Sequence, residues 1–212
     1  MKVIDRIQYI SQPSKDGSQL TAIHQALDAG SKWIQLRVKN ESAKSILQHA
    51  IAAKKLCERY EAKLIVNDYP EIAVEVNADG VHLGLDDMPI FMAREIVGAE
   101  MIIGGTANTF GHVQQRVAEG ADYIGLGPFR FTKTKVKLSP VLALEGYQRI
   151  FGEMKKVGLE IPVVAIGGIL AEDIPSLIAV GAYGVAISGA ITFSESREEI
   201  IQLIIKQQKA YV

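Results

Sequence analysis

One cysteine, Cys57, in 212 residues leaves no partner for an internal disulfide. That excludes a fold stapled in an oxidising compartment and points to a reducing one. No apolar run approaches the roughly 20 residues that a membrane span requires. The opening stretch, "MKVIDRIQYISQPS", is charged from its second residue and reads as a first strand, not an export signal. Charge of one sign is not in excess either. Lys and Arg number 23 against 24 Asp and Glu, a formal net charge of −1, whereas general nucleic-acid or membrane-surface binders need a net basic face. The expectation is therefore a cytoplasmic protein with no nucleic-acid and no membrane partner; a homo-oligomer stays open. What is present is ordinary for a chain with a real core: 48% hydrophobic and 22% charged residues.

Short β-rich runs alternate with longer amphipathic ones. "RIQYIS", "WIQLRV", "KLIVN", "GVHLG", "MIIGGT", "YIGLG", "PVVAIGG" and "GVAIS" begin near residues 6, 33, 63, 80, 101, 123, 162 and 184. Most are apolar on both faces, as buried parallel strands are. In the helix-like run after the second strand, Ile46, Leu47, Ala50, Ile51, Ala53 and Leu56 recur at helical spacing. "FGHVQQRVAEG" and "AEDIPSLIAVG" are shorter helices, each ending in the Gly that a C-cap favours. A weak repeat, helix end then small turn then buried strand, runs through "ALDAGSKWIQL", "EVNADGVHLG", "VAEGADYIGLG" and "IAVGAYGVAIS". Eight β-then-α units with no domain-breaking linker predict a single-domain (β/α)₈ TIM barrel over residues 1–212; a doubly wound open sheet is the alternative. In such a barrel the chemistry collects where the strands end.

After the second strand, Gln35, Arg37 and Lys39 alternate along "QLRVK" and are expected on one strand face. Burying Arg and Lys without partners is very costly, so either the face is solvated or it holds an anion at the barrel mouth. After the third and fourth strands, Asp68 and Asp87 each stand two residues before a Pro. Helix capping is the bland reading, with Tyr69 and Met88 as the formal cap positions. Alternatively, carboxylates leaving neighbouring strands about 4.8 Å apart can meet on one hard cation. Mg²⁺ takes one or two carboxylates with waters and substrate phosphates. After the fifth strand, Gly104 and Gly105 permit close backbone approach, Thr106 supplies a hydroxyl, and Thr109 suits a helix cap.

After the sixth strand, "GPFRFTKTKVKLSP" carries Arg130, Lys133, Lys135 and Lys137 with Thr132 and Thr134 and no acid. A loop of this kind is either solvated surface or a clamp for a polyanion, with lysine as point charge and threonine as neutral donor. After the seventh and eighth strands, Gly167, Gly168, Ser188 and Gly189 fit a backbone phosphate cradle, or else tight turns. Together these features describe a phosphorylated substrate meeting a diphosphate substrate with Mg²⁺. Transfer of a carbon group from diphosphate to an acceptor follows from that pairing.

The motifs "QLRVK", "ND", "DGVHLGLDD", "GADYIGLGP…TKTK", "VAIGGI" and "GVAISGAI" lie in one order from about residue 30 to 192, and this set resembles the thiamine phosphate synthase family. The resemblance implies a (β/α)₈ barrel that joins hydroxymethylpyrimidine diphosphate to thiazole phosphate with Mg²⁺, giving thiamine phosphate and pyrophosphate. It implies that Gln35, Arg37, Lys39, Asn67, Thr106 and Lys135 hold the pyrimidine diphosphate, with Thr106 and Lys135 serving catalysis. It implies Asp68 and Asp87 as Mg²⁺ ligands, and Thr132, Thr134, Gly168, Ser188 and Gly189 around the thiazole phosphate. The implied reaction is dissociative and needs no protein nucleophile.

The chain departs from that family's pattern at three places. Thr106 stands where Ser is usual, Leu85-Asp86-Asp87 where Gln-Glu-Asp is frequent, and Ser188-Gly189 where Val-Ser is frequent. Asp86 is thus a rival to Asp87 as ligand. The sister thiazole tautomerase family resembles this chain less, because it carries a His where Pro128 stands. A silent phosphate-binding barrel would have no reason to keep Asp68, Asp87 and Lys135 together. Among single residues, His82 reads as a hydrogen-bonded core residue, and Cys57 and Trp33 as packing.

Overall fold

Strands begin within one residue of where the sequence pattern puts them. The computed structural model describes residues 2–131 and 140–209, the last three of these by backbone alone. The strands are β1 (Ile7–Ile10), β2 (Trp33–Leu36), β3 (Lys63–Asn67), β4 (Gly80–Leu83), β5 (Ile102–Ala107), β6 (Tyr123–Leu126), β7 (Val163–Ile166) and β8 (Gly184–Ile187). Between them lie α1 (Gln19–Asp28), α2 (Ala43–Arg59), α3 (Pro70–Glu75), α4 (Ile90–Val97), α5 (Phe110–Ala118), α6 (Ala143–Lys156) and α7 (Ile174–Ala179); α8 (Gly189–Thr192) and α9 (Arg197–Lys209) follow β8. All neighbouring strands are parallel and β8 pairs back onto β1, so the sheet closes. This is the (β/α)₈ barrel, not the open sheet. No described helix is long and apolar enough to cross a membrane.

Alternation along each strand divides the core in two. Tyr9, Ile34, Leu36, Leu64, Val66, Val81, Leu83, Ile103, Ile124, Leu126, Val185 and Ile187 point outward and are buried under the helices. Trp33, Ile65, Ile102, Tyr123, Val164, Ile166 and Ala186 fill the barrel itself, with Ile4 beneath them. Trp33 meets Tyr123 edge-on at 5.1 Å between ring centroids, so it is core, as its sequence position suggests. Cys57 is fully buried on α2, where burial pushes its thiol pKa up to about 12 and leaves it a packing residue.

Local signals account for the helix boundaries. Ser18, Ser42 and Thr109 cap α1, α2 and α5 by accepting from Thr21, Ser45 and His112 N–H groups. Gly120 and Gly181 follow α5 and α7 at φ 90° and 116°, the left-handed turn that glycine supplies at no steric cost. Tyr69 is the N-cap of α3, as expected; α4 starts one residue later than expected, with Pro89 and not Met88 at its cap. Ile51, expected on the apolar stripe of α2, is 42% exposed; Ile46, Ala50, Ala53 and Cys57 are the buried residues of that helix, with Leu47 and Leu56 packed beside them.

Gly104 and Gly125 are required by packing. A side-chain carbon on Gly104 would overlap the Tyr123 ring, and one on Gly125 would lie 2.9 Å from His82 Cε1. Gly104→Ala is expected to cost about 1–3 kcal/mol in urea unfolding, the usual penalty for overpacking. Gly152→Ala, on α6 with nothing within 4 Å of the added carbon, should instead stabilise by about 0.5–1 kcal/mol.

Candidate active site

Inside the barrel the strands leave a continuous hydrogen-bonded chain of polar side chains. Gln35 Nε2 donates to Gln8 Oε1 at 3.1 Å, and Gln8 Nε2 donates to the Tyr123 hydroxyl at 3.2 Å. The same hydroxyl lies 3.0 Å from His82 Nδ1, and His82 Nε2 lies 3.0 Å from the Thr106 hydroxyl. All five residues are buried. The chain thus spans β2, β1, β6, β4 and β5 and joins two expected site residues, Gln35 and Thr106. His82 is the hydrogen-bonded core residue expected, and it also fixes the Thr106 hydroxyl. Burial pushes the Tyr123 phenol well above its ordinary range, so it stays protonated and can donate. Asn67, at the end of β3 and paired in register with His82, is 7% exposed. Its Nδ2 has no hydrogen-bond partner among the described residues. A buried donor left this way is one a ligand would satisfy.

The two expected carboxylates do meet. Asp68 follows β3 at φ 68°, a left-handed turn that Asp tolerates better than most residues, and its N–H donates to the His82 carbonyl at 2.9 Å. Asp87 is held in the loop after β4, where its Oδ2 accepts from the Gly84 N–H at 2.6 Å. The Asp87 carboxyl lies close enough to Asp68 to oppose its ionisation, and Lys39 forms an ion pair with Asp68. Asp86 is exposed, so Asp87 is the residue that reaches Asp68. Neither Asp68 nor Asp87 caps a helix. Burial, and next the neighbouring Asp87 carboxyl, raises the Asp68 pKa from 3.8 to about 6; Lys39 pulls the other way. A carboxyl held this way is poised to lose its proton to a cation. No group of three or more His, Cys, Asp or Glu side chains that could hold a metal occurs among the described residues. Two carboxyls are what a hard cation that keeps water and phosphate ligands takes from protein.

Beside this pair opens a cavity of about 340 Å³. Arg37, Gly167, Gly168, Ser188 and Gly189 line it, with Ile10, Gln12, Ile166, Ile169 and Phe131. β2 ends at Leu36, so Arg37 and Lys39 do not continue a strand face as expected; they lie in the loop beyond it. Burial lowers the Arg37 pKa, and the Asp68 charge acts to raise it. Among the described residues, Arg37 is thus the expected one that both lines the cavity and feels the Asp68 charge.

The basic stretch divides. Thr132, Lys133, Thr134, Lys135 and Lys137 lie outside the described residues. Arg130 is engaged by protein: its two terminal nitrogens reach Asp173 at 2.8 and 2.9 Å, and Nη1 also donates to the Gly168 carbonyl at 2.5 Å. That fork ties the start of the stretch to the loop after β7. Gly104 and Gly105 permit the close approach expected of them, and protein side chains make it. They make room for Tyr123 and His82 on one side and for Ile90 and Arg116 on the other.

Arg116 carried no sequence signal beyond its helix. It is 1% exposed, pairs with Glu119 at 2.7 Å, and donates to the Gly84 carbonyl at 2.7 Å and the Thr106 carbonyl at 3.3 Å. It therefore braces the ends of β4 and β5 from behind. Gln8 and Tyr123 were also missed, since an isolated Gln or Tyr within an apolar strand says nothing of its partners.

A barrel mouth divided between paired carboxylates and a glycine-edged cavity with a half-buried arginine marks an enzyme that handles phosphorylated small molecules. The chain belongs to the thiamine monophosphate synthase (TMP-TENI) family, whose profile matches residues 7–191. It is 52% identical over 208 residues to the thiamine-phosphate synthase of Flavobacterium johnsoniae, which covers 98% of each chain. It is likewise 52% identical over 185 residues to that of Bacteroides fragilis, covering 87% of this chain and 91% of the relative. The solved thiamine phosphate pyrophosphorylase from Pyrococcus furiosus superposes with a TM-score of 0.83 at 29% identity, covering 98% of this chain and 96% of that one.

The raised Asp68 pKa has a definite sign in stability. A group whose folded pKa exceeds its unfolded one contributes stability that is full below about 3.8 and is lost as pH rises through about 6. In chelator, Asp68→Asn should therefore gain on the parent between pH 4 and pH 7, by on the order of 2–3 kcal/mol in urea unfolding. A parent that instead outlasts Asp68→Asn at pH 7 would mean that the Lys39 pairing outweighs burial.

Proposed function

We infer that this chain is a thiamine-phosphate synthase, joining hydroxymethylpyrimidine diphosphate to thiazole phosphate with release of pyrophosphate. The observation that carries this reading is the meeting of Asp68 and Asp87 beside Lys39, next to a separate cavity holding Arg37, in a chain 52% identical to a named synthase over nearly its whole length. One substrate needs a cation and positive charge at its diphosphate; the other needs a place for its phosphate. The two lobes of the mouth supply one each.

The fit to Mg²⁺ rests on the donors: two carboxyls, one of them holding its proton up to about pH 6, with room for oxygen ligands from solvent and substrate. Asp68 and Asp87 would hold the ion, whose chemistry when bound is to neutralise diphosphate charge. Lys39, released from Asp68, would turn its ammonium to the diphosphate. Asn67 would donate its unpartnered amide, and Gln35 and Thr106 would present groups already oriented by the chain through Tyr123 and His82. Lys135, outside the described residues, is assigned to the diphosphate as well, and Thr132 and Thr134 to the thiazole phosphate with Gly168, Ser188 and Gly189.

The reaction proposed breaks the bond from the pyrimidine methylene to the diphosphate oxygen, both electrons leaving with pyrophosphate. The thiazole nitrogen then supplies the pair for the new carbon–nitrogen bond. No side chain is asked to act as nucleophile. The protein's work is to stabilise departing negative charge and to hold the acceptor close.

The assay is pyrophosphate release from purified protein with the two substrates. Release should need both substrates, depend on Mg²⁺ and stop with excess chelator. Asp68→Ala should lose at least about 100-fold in turnover while keeping the parent's circular dichroism. No release from the parent, with thiazole phosphate still bound, would overturn the synthase reading in favour of a tautomerase-like or silent barrel.

A further inference from the structure

The geometry points to Gln12 as a binding residue for the phosphate of the second substrate, its side-chain amide supplying a donor where Gly189 supplies only backbone. This rests on the synthase reading above. Gln12 follows β1 and lines the same cavity as Arg37, Gly168, Ser188 and Gly189. A side-chain carbon built on Gly189 would lie 3.2 Å from Gln12 Nε2. The amide therefore fills the space at the cavity wall that a side chain at position 189 would otherwise take. Among the described residues nothing hydrogen-bonds the Gln12 side chain, which is half-buried. A half-buried amide at the wall of a cavity that is also lined by the half-buried Arg37 suits an oxyanion with several acceptors.

The strand that leads to Gln12 is anchored near its end. The hydroxyl of Tyr9, three residues earlier, lies 2.8 Å from Thr192 Oγ1. Thr192 Oγ1 also reaches the Ser188 carbonyl at 3.2 Å. Tyr9 and Thr192 are both buried, and Tyr9 stands opposite Ile187 in the β1–β8 register. One buried hydroxyl pair thus ties the end of β1, just before Gln12, to the Ser188 carbonyl across the cavity wall.

The test compares the parent with Gln12→Ala and Gln12→Glu. Gln12→Ala should raise KM for thiazole phosphate about ten-fold or more, as expected for losing a hydrogen bond to a charged group. KM for the pyrimidine diphosphate should stay within about two-fold, a split that separates a local contact from general damage. Gln12→Glu should be worse, since it sets a carboxylate against the phosphate. In calorimetric titrations, Gln12→Ala should weaken thiazole phosphate but not the thiazole alcohol, which has no phosphate to lose. In the Gln12→Ala background, Gly189→Ser should recover part of the affinity by placing a hydroxyl in the vacated space. Equal binding of thiazole phosphate by parent and Gln12→Ala, or equal losses for both substrates, would overturn the assignment. A parent that binds thiazole phosphate through Gln12 yet releases no pyrophosphate would sink the synthase reading and leave this one standing.

Discussion

The hydrogen bonds that run from Gln35 through Gln8, Tyr123 and His82 to Thr106 set the terms for the rest of the barrel. Five polar side chains sit where a barrel of this size would ordinarily hold branched apolar ones. Each buried polar group costs free energy unless it is paired, so the five stand or fall together. They also demand space. Two rings, Tyr123 and His82, cross an interior only eight strands wide, and Gly104 and Gly125 have to be without side chains for the rings to fit. The polar end of the barrel is thus paid for in packing by two glycines, and the position of Thr106 is a consequence of both.

The same chain sets the electrostatics of the mouth. It consumes the hydrogen-bonding capacity of β1, β2, β4, β5 and β6 within the barrel, yet leaves the Asn67 amide on β3 unpartnered among the described residues. Asp68 follows directly, anchored through its N–H to the carbonyl of His82. A member of the buried chain therefore also orients the turn that carries the carboxylate. Arg116 repeats this logic from outside the barrel. It binds the carbonyls of Gly84 and Thr106, so the strand ends that present Asp87 and the Thr106 hydroxyl are held by one buried guanidinium whose own charge is balanced by Glu119.

The fold was legible because its signals are local and repeated. Eight apolar runs, each followed by a helix start, fix the strand positions to within a residue, and parallel neighbours need little else. Asp68 and Asp87 were legible as a pair because neighbouring strands must bring their ends together. The distinction between Asp86 and Asp87 was not, since both lie in a loop whose turn is set by the bond from Gly84 to Asp87. Gly104 and Gly105 were legible as places of close approach but their neighbours were not, because sequence shows a missing side chain without showing which residue fills the gap. Arg130 was misread as free charge because its partner, Asp173, is 43 residues away. Gln8, Gln12, Tyr123 and Arg116 were missed for the same reason: their partners belong to other strands and loops, and no spacing within the chain encodes them.

Charge at the mouth is arranged so that neither lobe is settled by itself. Asp68 is buried enough to hold its proton up to about pH 6, with Asp87 opposing ionisation and Lys39 favouring it. Arg37 is buried enough for its own charge to be disfavoured, and the nearest relief is the Asp68 charge. An anion entering the cavity would relieve Arg37, and a cation at the carboxylates would relieve Asp68. A near-neutral chain can therefore carry a strongly charged site, because its charges are matched across the mouth and not summed over the surface.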